Sequence, residues 1–335
     1  MINKFDIIEF DFDDNLLKHF IQLEKELYKN NNYQLTFLQL QKTYPVFEYV
    51  KIKNYIVIDN KSKPILRASA IINPYLTLDN KVIGLIGFFE STKNYKLFQK
   101  LISKIIEYFK TNKISKIIAP VNFNTFHKYR FVTQGFENYF ILDIQNKEYY
   151  PILFEKFGFK IIKNYYSTIT YNLKQNLEFS KYNAAINNNF EFRKLNKNEF
   201  LKELEIIYNL SVNNFEDSFL FNKISFKEFL EIYKPLGKYL DKIEVYFACK
   251  NSKEIGFLFY IYDKDYVVFK SITISNEYRN QGIGSALFYL AFKEALEKNI
   301  NTGIFAFMRE DNKVILKLTN NSTFFKRYSL FLYEI

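Results

Sequence analysis

Cysteine is nearly absent from this chain, histidine occurs twice, and glycine and proline are scarce: 1, 2, 9 and 6 in 335 residues. The lone Cys249 rules out an intrachain disulfide, and one cysteine with two histidines cannot assemble a Cys/His zinc cluster, so no metal is expected. No apolar run approaches the roughly 18 residues of a membrane-spanning helix. The longest candidate, Val82–Phe89, has the length of a buried strand. The stretch 1–14 is studded with Asp and Glu and lacks an apolar signal core. A cytoplasmic rather than secreted protein is therefore expected.

What is present is a long chain with ample core material. At 335 residues it exceeds one ordinary domain and suits two of roughly 150–170 residues each. The 48% hydrophobic and 25% charged residues are those of a globular protein with a solvated surface. The net charge of +11 invites a nucleic-acid partner. Against that reading, lysines are spread along the whole chain and arginine occurs only at 67, 130, 193, 279, 309 and 327. Lys, Asn, Ile, Phe and Tyr are also the residues an AT-rich coding sequence overproduces. Nucleic acid is not the expected partner, whereas small phosphate-bearing molecules fit the charge.

Gln175–Asn189 is polar and rich in Asn, a composition that favours turns and linkers. It divides the chain into domains 1–176 and 190–335 with a linker at 177–189. After it come a short strand near 190–195, helices near 198–213 and 226–236, strands at 244–248, 255–262 and 266–275, a helix over 282–298, a strand at 303–308, a short helix after Asn312 and a last strand at 324–333. The first half follows nearly the same order: strand 5–10, helix 15–29, strands 55–59, 65–72 and 82–89, helix 95–111, strand 116–121, helix 147–157 and strand 160–172. Both halves read as α/β (α+β) units on mostly antiparallel sheets, and their common order suggests a duplication. Residues 122–146 stand as an insertion in the first.

Two of the nine glycines, Gly282 and Gly284, sit between an expected strand and a long helix. A glycine loop opening a helix offers unpaired N–H groups and the positive end of the helix dipole to one point, which suits a pyrophosphate. Arg279 can add a fixed charge. A tight ligand-free connection would use the same two glycines.

The surrounding residues carry more. Ser271–Leu287 resembles motif A of the GCN5-related N-acetyltransferase (GNAT) superfamily, with Arg279-Asn-Gln-Gly-Ile-Gly284 fitting its Gln/Arg-x-x-Gly-x-Gly/Ala signature without a gap. Leu287 stands where a dinucleotide fingerprint would need a third glycine. The resemblance implies tandem GNAT-like domains, the N-terminal copy degenerate. It also implies that Asn280, Gln281, Gly282, Ile283, Gly284 and Ser285 cradle the pyrophosphate of an acyl-coenzyme A, most simply acetyl-CoA. Ile272, Thr273 and Ile274 would pair with its pantetheine arm, the thioester lying where that strand splays from the next. Asn312 falls at a position that often contacts the cofactor and would also serve as a helix N-cap. The motif-bearing likeness covers roughly 266–318.

By that resemblance an amine attacks the thioester directly, in a ternary complex, with a base or water path for its proton and an acid for the thiolate. The tyrosine that often supplies the acid is missing: counting from Asn312, its place holds Thr319. Tyr328 on the last strand is a substitute, and Asp265, Lys270 and Glu244 are the nameable bases, although each also reads as a surface charge. The first half departs in the complementary way. Leu153–Phe159 keeps the family's tail pattern with Phe154 for the tyrosine, whereas Glu90–Asn94 holds no glycine or arginine. Gly84 and Gly87 fall inside a strand and read as a bulge or close packing. The first half is expected to have lost acyl-CoA binding and to shape the acceptor site through Ala119–Asn124 and 122–146. His19, His127 and Cys249 read as structural.

The expected function is an acyl-CoA-dependent N-acetyltransferase acting on a small amine, an amino acid or an amino sugar. Two alternatives keep the duplicated fold: an aminoacyl transferase of the FemX type using charged tRNA, and a non-catalytic acyl-CoA sensor or scaffold.

Overall fold

A computed structural model describes residues 5–28, 33–177, 179–216, 218–310 and 321–335. The first half runs β1 (Asp6–Phe10), α1 (Asp14–Tyr28), α2 (Tyr33–Gln39), β2 (Lys51–Ile58), β3 (Pro64–Leu78), β4 (Lys81–Ser91), α3 (Tyr95–Thr111), β5 (Lys116–Ala119), β6 (Phe131–Gln134), α4 (Tyr149–Phe157) and β7 (Lys160–Thr170). The second runs α5 (Phe179–Asn187), β8 (Glu191–Lys194), α6 (Phe200–Asn214), α7 (Phe226–Tyr233), β9 (Ile243–Lys250), β10 (Lys253–Asp263), β11 (Tyr266–Ile274), α8 (Ile283–Glu297), β12 (Thr302–Arg309) and β13 (Thr323–Glu334). Asn312 and the helix expected after it lie outside the described residues.

Strands form where β-branched and aromatic residues concentrate, as in Tyr55–Ile58 and Tyr266–Phe269. The long helices carry one apolar stripe. In α3, Leu97, Phe98, Leu101, Ile102, Ile105, Ile106 and Phe109 recur at helical spacing and are all buried. In α8 the buried set includes Ile283, Ala286, Leu287, Ala291, Phe292 and Ala295. Each helix joins two parallel strands, β4 to β5 and β11 to β12, as a crossover must. The other pairings are antiparallel.

The two halves share one sheet of thirteen strands in the order β1-β2-β3-β4-β5-β13-β7-β12-β11-β10-β9-β8, with β6 also paired to β13. Each half sends its last strand into the other. β13 lies against β5, Phe331 opposite Ala119, and β7 lies against β12, Thr170 opposite Gly303. The middle of the sheet is therefore built jointly, and apolar clusters pack under α1 and α3 in the first half and under α6 and α8 in the second.

Residues 179–187, expected within a linker, are the helix α5. Phe179 and Tyr182 pack on Tyr289 of α8 at 5.6 and 5.1 Å, and Ala185 is buried. This packing overrides the weak helix propensity of an Asn-rich segment. The short elements α2 and β6 were also not expected, β6 falling within the insertion. No described helix is long and apolar enough to cross a membrane.

Candidate active site

The turn from β11 into α8 has the form of an anion cradle. Asn280 and Gly282 take left-handed φ values of 65° and 79°, with Gln281 between them. Left-handed residues set among right-handed ones gather successive amides into a concavity for anions. Gly282 is the N-cap of α8 and no side chain caps it. The first helical amide with a protein acceptor is that of Ala286, to Gly282 O at 3.0 Å. Among the described residues, the amides from Asn280 to Ser285 have none.

The space in front of these amides is open. A Cβ on Gly282 would meet nothing nearer than Lys181 at 4.0 Å, and one on Gly284 nothing nearer than Ile272 Cδ1 at 3.6 Å. Gly282 is thus required by its positive φ, whereas Gly284 keeps the approach to the amides clear. Arg279 braces the turn, donating from Nε to Ile274 O at 3.2 Å and from Nη2 to Asn214 O at 3.1 Å.

Beside this turn, β11 and β12 part. Their pairing runs from Tyr266–Thr302 to Phe269–Phe305 and stops, although β11 continues to Ile274 and β12 to Arg309. The stacked rings of Phe269 and Phe305, 5.3 Å apart, mark the end of the pairing, and Phe288 and Phe292 of α8 pack on Phe269 at 5.5 and 5.1 Å. Ile272, Thr273 and Ile274 pair only with β10, opposite Leu258, Phe257 and Gly256, so their other edge faces the gap. A bulge between Phe259 and Tyr260 leaves Lys270 as an extra residue at the point of divergence.

A cavity of about 570 Å³ occupies this opening and reaches the first half of the chain. From the second half, Lys270, Ser271, Ile272, Phe305, Ala306 and Phe307 line it. From the first come Asn122, His127, Tyr129, Arg130, Asp143 and Tyr165. Most of these lie in 119–146, the stretch from which the sequence leads one to expect acceptor contacts.

The charged groups in its wall are unevenly paired. Asp143 is neutralised by Lys326, Nζ to Oδ2 at 2.5 Å, with both side chains buried, and its Oδ1 accepts from Tyr328 Oη at 3.0 Å. Burial holds its carboxyl above the usual range, with Lys326 opposing. Lys270 is pushed down to about 8, first by burial and then by the nearby Arg130 guanidinium. His127 is buried, brought down to about 3 by desolvation, and fixed by Asn124 Oδ1 at 2.9 Å and Tyr44 Oη at 3.2 Å.

The corresponding places in the first half are closed. Asn94 caps α3 by accepting from Leu97 N at 3.2 Å. Beyond the last β4–β5 pair the strands stay in contact, Val121 N donating to Ile86 O at 3.0 Å and Phe88 N to Asn122 Oδ1 at 2.8 Å. A Cβ on Gly87 would lie 2.6 Å from Val121 O, the close packing expected of that glycine. Phe154 is buried against Phe89, Phe98 and Phe131 at 5.0 to 5.2 Å.

The structure brings Ile272–Ile274 and Arg279–Ser285 together at one cleft, while Asn312 is outside the described residues. Tyr328 is fully buried behind the cavity wall, bonded to Asp143 and 3.2 Å from Ser167 Oγ, and burial raises its hydroxyl further from ionisation. Of the bases named from sequence, Lys270 lines the cavity. Asp265 lies exposed in the β10–β11 turn, and Glu244 is paired with Lys197 at 2.7 Å. Arg130, Asp143, Lys326 and the exposed Lys181 were not singled out. Arginine's rarity could have flagged the first, but nothing in the sequence joins Lys326 to Asp143.

Residues 205–319 match the acetyltransferase (GNAT) family. No curated protein matches the sequence significantly. A tandem GNAT protein from the clavulanic acid biosynthesis pathway superposes with a TM-score of 0.59 at 8% identity, over 99% of this chain and 98% of that one. A probable N-acyltransferase from Enterococcus faecalis V583 gives 0.60 at 7% identity, over 99% and 73%. A GCN5-related glucosamine N-acetyltransferase region of a fungal multi-domain GH3 β-N-acetylglucosaminidase gives 0.59 at 13% identity, and this chain spans 38% of that protein's length. At such identities the likeness is one of fold.

Proposed function

We propose that this chain, whose residues 205–319 match the acetyltransferase (GNAT) family and whose fold is like that of a tandem GNAT protein, transfers an acyl group, most simply acetyl, from an acyl-coenzyme A to an amine. The observation that carries this reading is the uncapped start of α8 at Gly282, beside strands that part over a cavity. The free amides of Asn280–Ser285, the side chain of Arg279 and the open edge of Ile272–Ile274 are the groups that would hold the cofactor. Lys181, whose Cδ comes within 4.0 Å of a Cβ built on Gly282, adds an exposed cation at the mouth. When bound, acyl-CoA supplies an activated thioester.

The chain's own part is to position the acceptor and move its proton. Lys270, at the divergence of β11 and β12 with its ammonium held at about 8, is the group we assign to take the proton from the acceptor amine. Tyr328 acts at one remove, by orienting Asp143. The first half, its own cleft shut, contributes a wall of the acceptor cavity through Asn122, His127 and Arg130.

The test is thermal-shift binding with acetyl-CoA and longer acyl-CoAs, on the wild type and on Gly282→Asp and Gly284→Asp. A ligand of the folded state raises the melting temperature. The wild type should show the shift and both variants should lose it; wild-type affinity in both would refute the site.

A further inference from the structure

Arg130 is a buried cation with no counter-ion among the described residues. It is 7% exposed, its Nε and Nη1 have no hydrogen-bond partner, and among the described residues no carboxylate pairs with it. Its guanidinium sits in a corner made by the rings of Tyr129 and Tyr165, 4.0 and 4.2 Å away and 86° to one another, with Phe307 at 4.9 Å. Ring faces offset part of the cost of desolvating the charge, but they leave Nε and Nη1 unused. Of the acids in the cavity wall, Asp143 already holds Lys326 and Tyr328, and Glu24 holds Arg67. The backbone at Arg130 is also left-handed, φ 69°, a conformation an arginine avoids unless its surroundings impose it. Lys270 faces the same Phe307 ring at 5.7 Å and feels the Arg130 guanidinium.

We infer that the acceptor amine carries a carboxylate, and that Arg130, supplied by the first half, binds it while Lys270 of the second half faces the amine. This rests on the acyl-transfer reading and adds a substrate class to it. A single guanidinium with flat aromatic walls presents a planar fork, which matches a carboxylate. The first half would thus read the acceptor, and the second would hold the donor.

The experiment pairs amines that differ only in that group: phenylalanine with phenylalaninamide, and β-alanine with its amide. Coenzyme A release is measured with acetyl-CoA, and rates are corrected for the neutral amine fraction. The wild type should favour each carboxylate in kcat/KM by about 10- to 100-fold, the usual value of a charged hydrogen bond. Arg130→Met should collapse that preference through KM, and Arg130→Lys should restore part of it, with the acetyl-CoA melting shift reporting that each variant is folded. Amides used as well as carboxylates by the wild type, or a preference that survives in Arg130→Met, would overturn the inference. Melting shifts with the same amines separate it from the acyl-transfer reading. A carboxylate-dependent shift lost in Arg130→Met upholds Arg130 even if acetyl-CoA does not bind; no such shift in the wild type, with acetyl-CoA bound, sinks Arg130 alone.

Discussion

Asn94 and Gly282 stand at equivalent points, each the N-cap of the helix that follows a half's central hairpin, and only Asn94 covers its helix with a side chain. The difference separates stability from binding. Asn94→Ala should cost about 1 kcal/mol in denaturant unfolding, the usual worth of such a cap, and leave the acetyl-CoA melting shift alone. Gly282→Asn should do the reverse. Asparagine tolerates the left-handed φ, so stability changes little, but its side chain competes for the amides and the shift shrinks. An undiminished shift in Gly282→Asn would mean that these amides do not hold the ligand.

Lys270 sets a pH dependence in both rate and stability. In the proposed role its neutral form accepts the proton, so kcat should rise with pH through about 8. Lys270→Met should remove that limb and lower kcat by about 10²- to 10⁴-fold. For stability, the folded value of about 8 lies below the ordinary 10.5. The unfolded chain therefore binds the proton first as pH falls, and the folded form loses stability between those values, with the loss complete below 8. Between pH 8 and 10 the midpoint of denaturant unfolding should rise less steeply in Lys270→Met than in the wild type. A pH–rate profile unchanged in the variant would assign the proton to another group.

The turn that we propose for the cofactor was legible in the sequence as a glycine turn between strand and helix because it is local. A strand, a turn with Gly282 and Gly284, and a helix are adjacent in the chain, and the turn's conformation leaves few choices of residue. The cavity was not, because it is assembled from distant segments. Arg130 and Lys270 meet at Phe307 only once β7 has inserted beside β12. Asp143 meets Lys326 across 183 positions through a strand exchange that no periodicity encodes. Helix α5 escaped notice for a related reason, since its stability comes from Tyr289 and not from its own Asn-rich residues.

The Asp143–Lys326 pair has both side chains about 1% exposed. Removing one partner leaves a buried charge alone, so Lys326→Met should destabilise by about 3–5 kcal/mol. The double variant Asp143→Leu/Lys326→Met removes both charges and should recover most of that loss, because an apolar pair of similar volume is often neutral. Unfolding in guanidinium chloride measures both. Additive losses in the double variant would show that the two side chains do not act as a pair.

The strand exchange makes the halves depend on one another. Residues 190–335 alone lack β7, which separates β12 from β13, and residues 1–189 lack β13, which separates β5 from β7. Each fragment would expose long unpaired edges in the middle of its sheet, a state that favours aggregation or re-pairing over a folded monomer. The full chain should therefore melt in one cooperative transition. Neither fragment should give a native near-ultraviolet circular dichroism spectrum by itself, and co-expression of the two should yield a one-to-one complex that regains the acetyl-CoA shift. A monomeric 190–335 fragment that folds and binds acetyl-CoA would show the exchange to be dispensable, and the first half's place in the proposed acceptor cavity would then need a different physical basis.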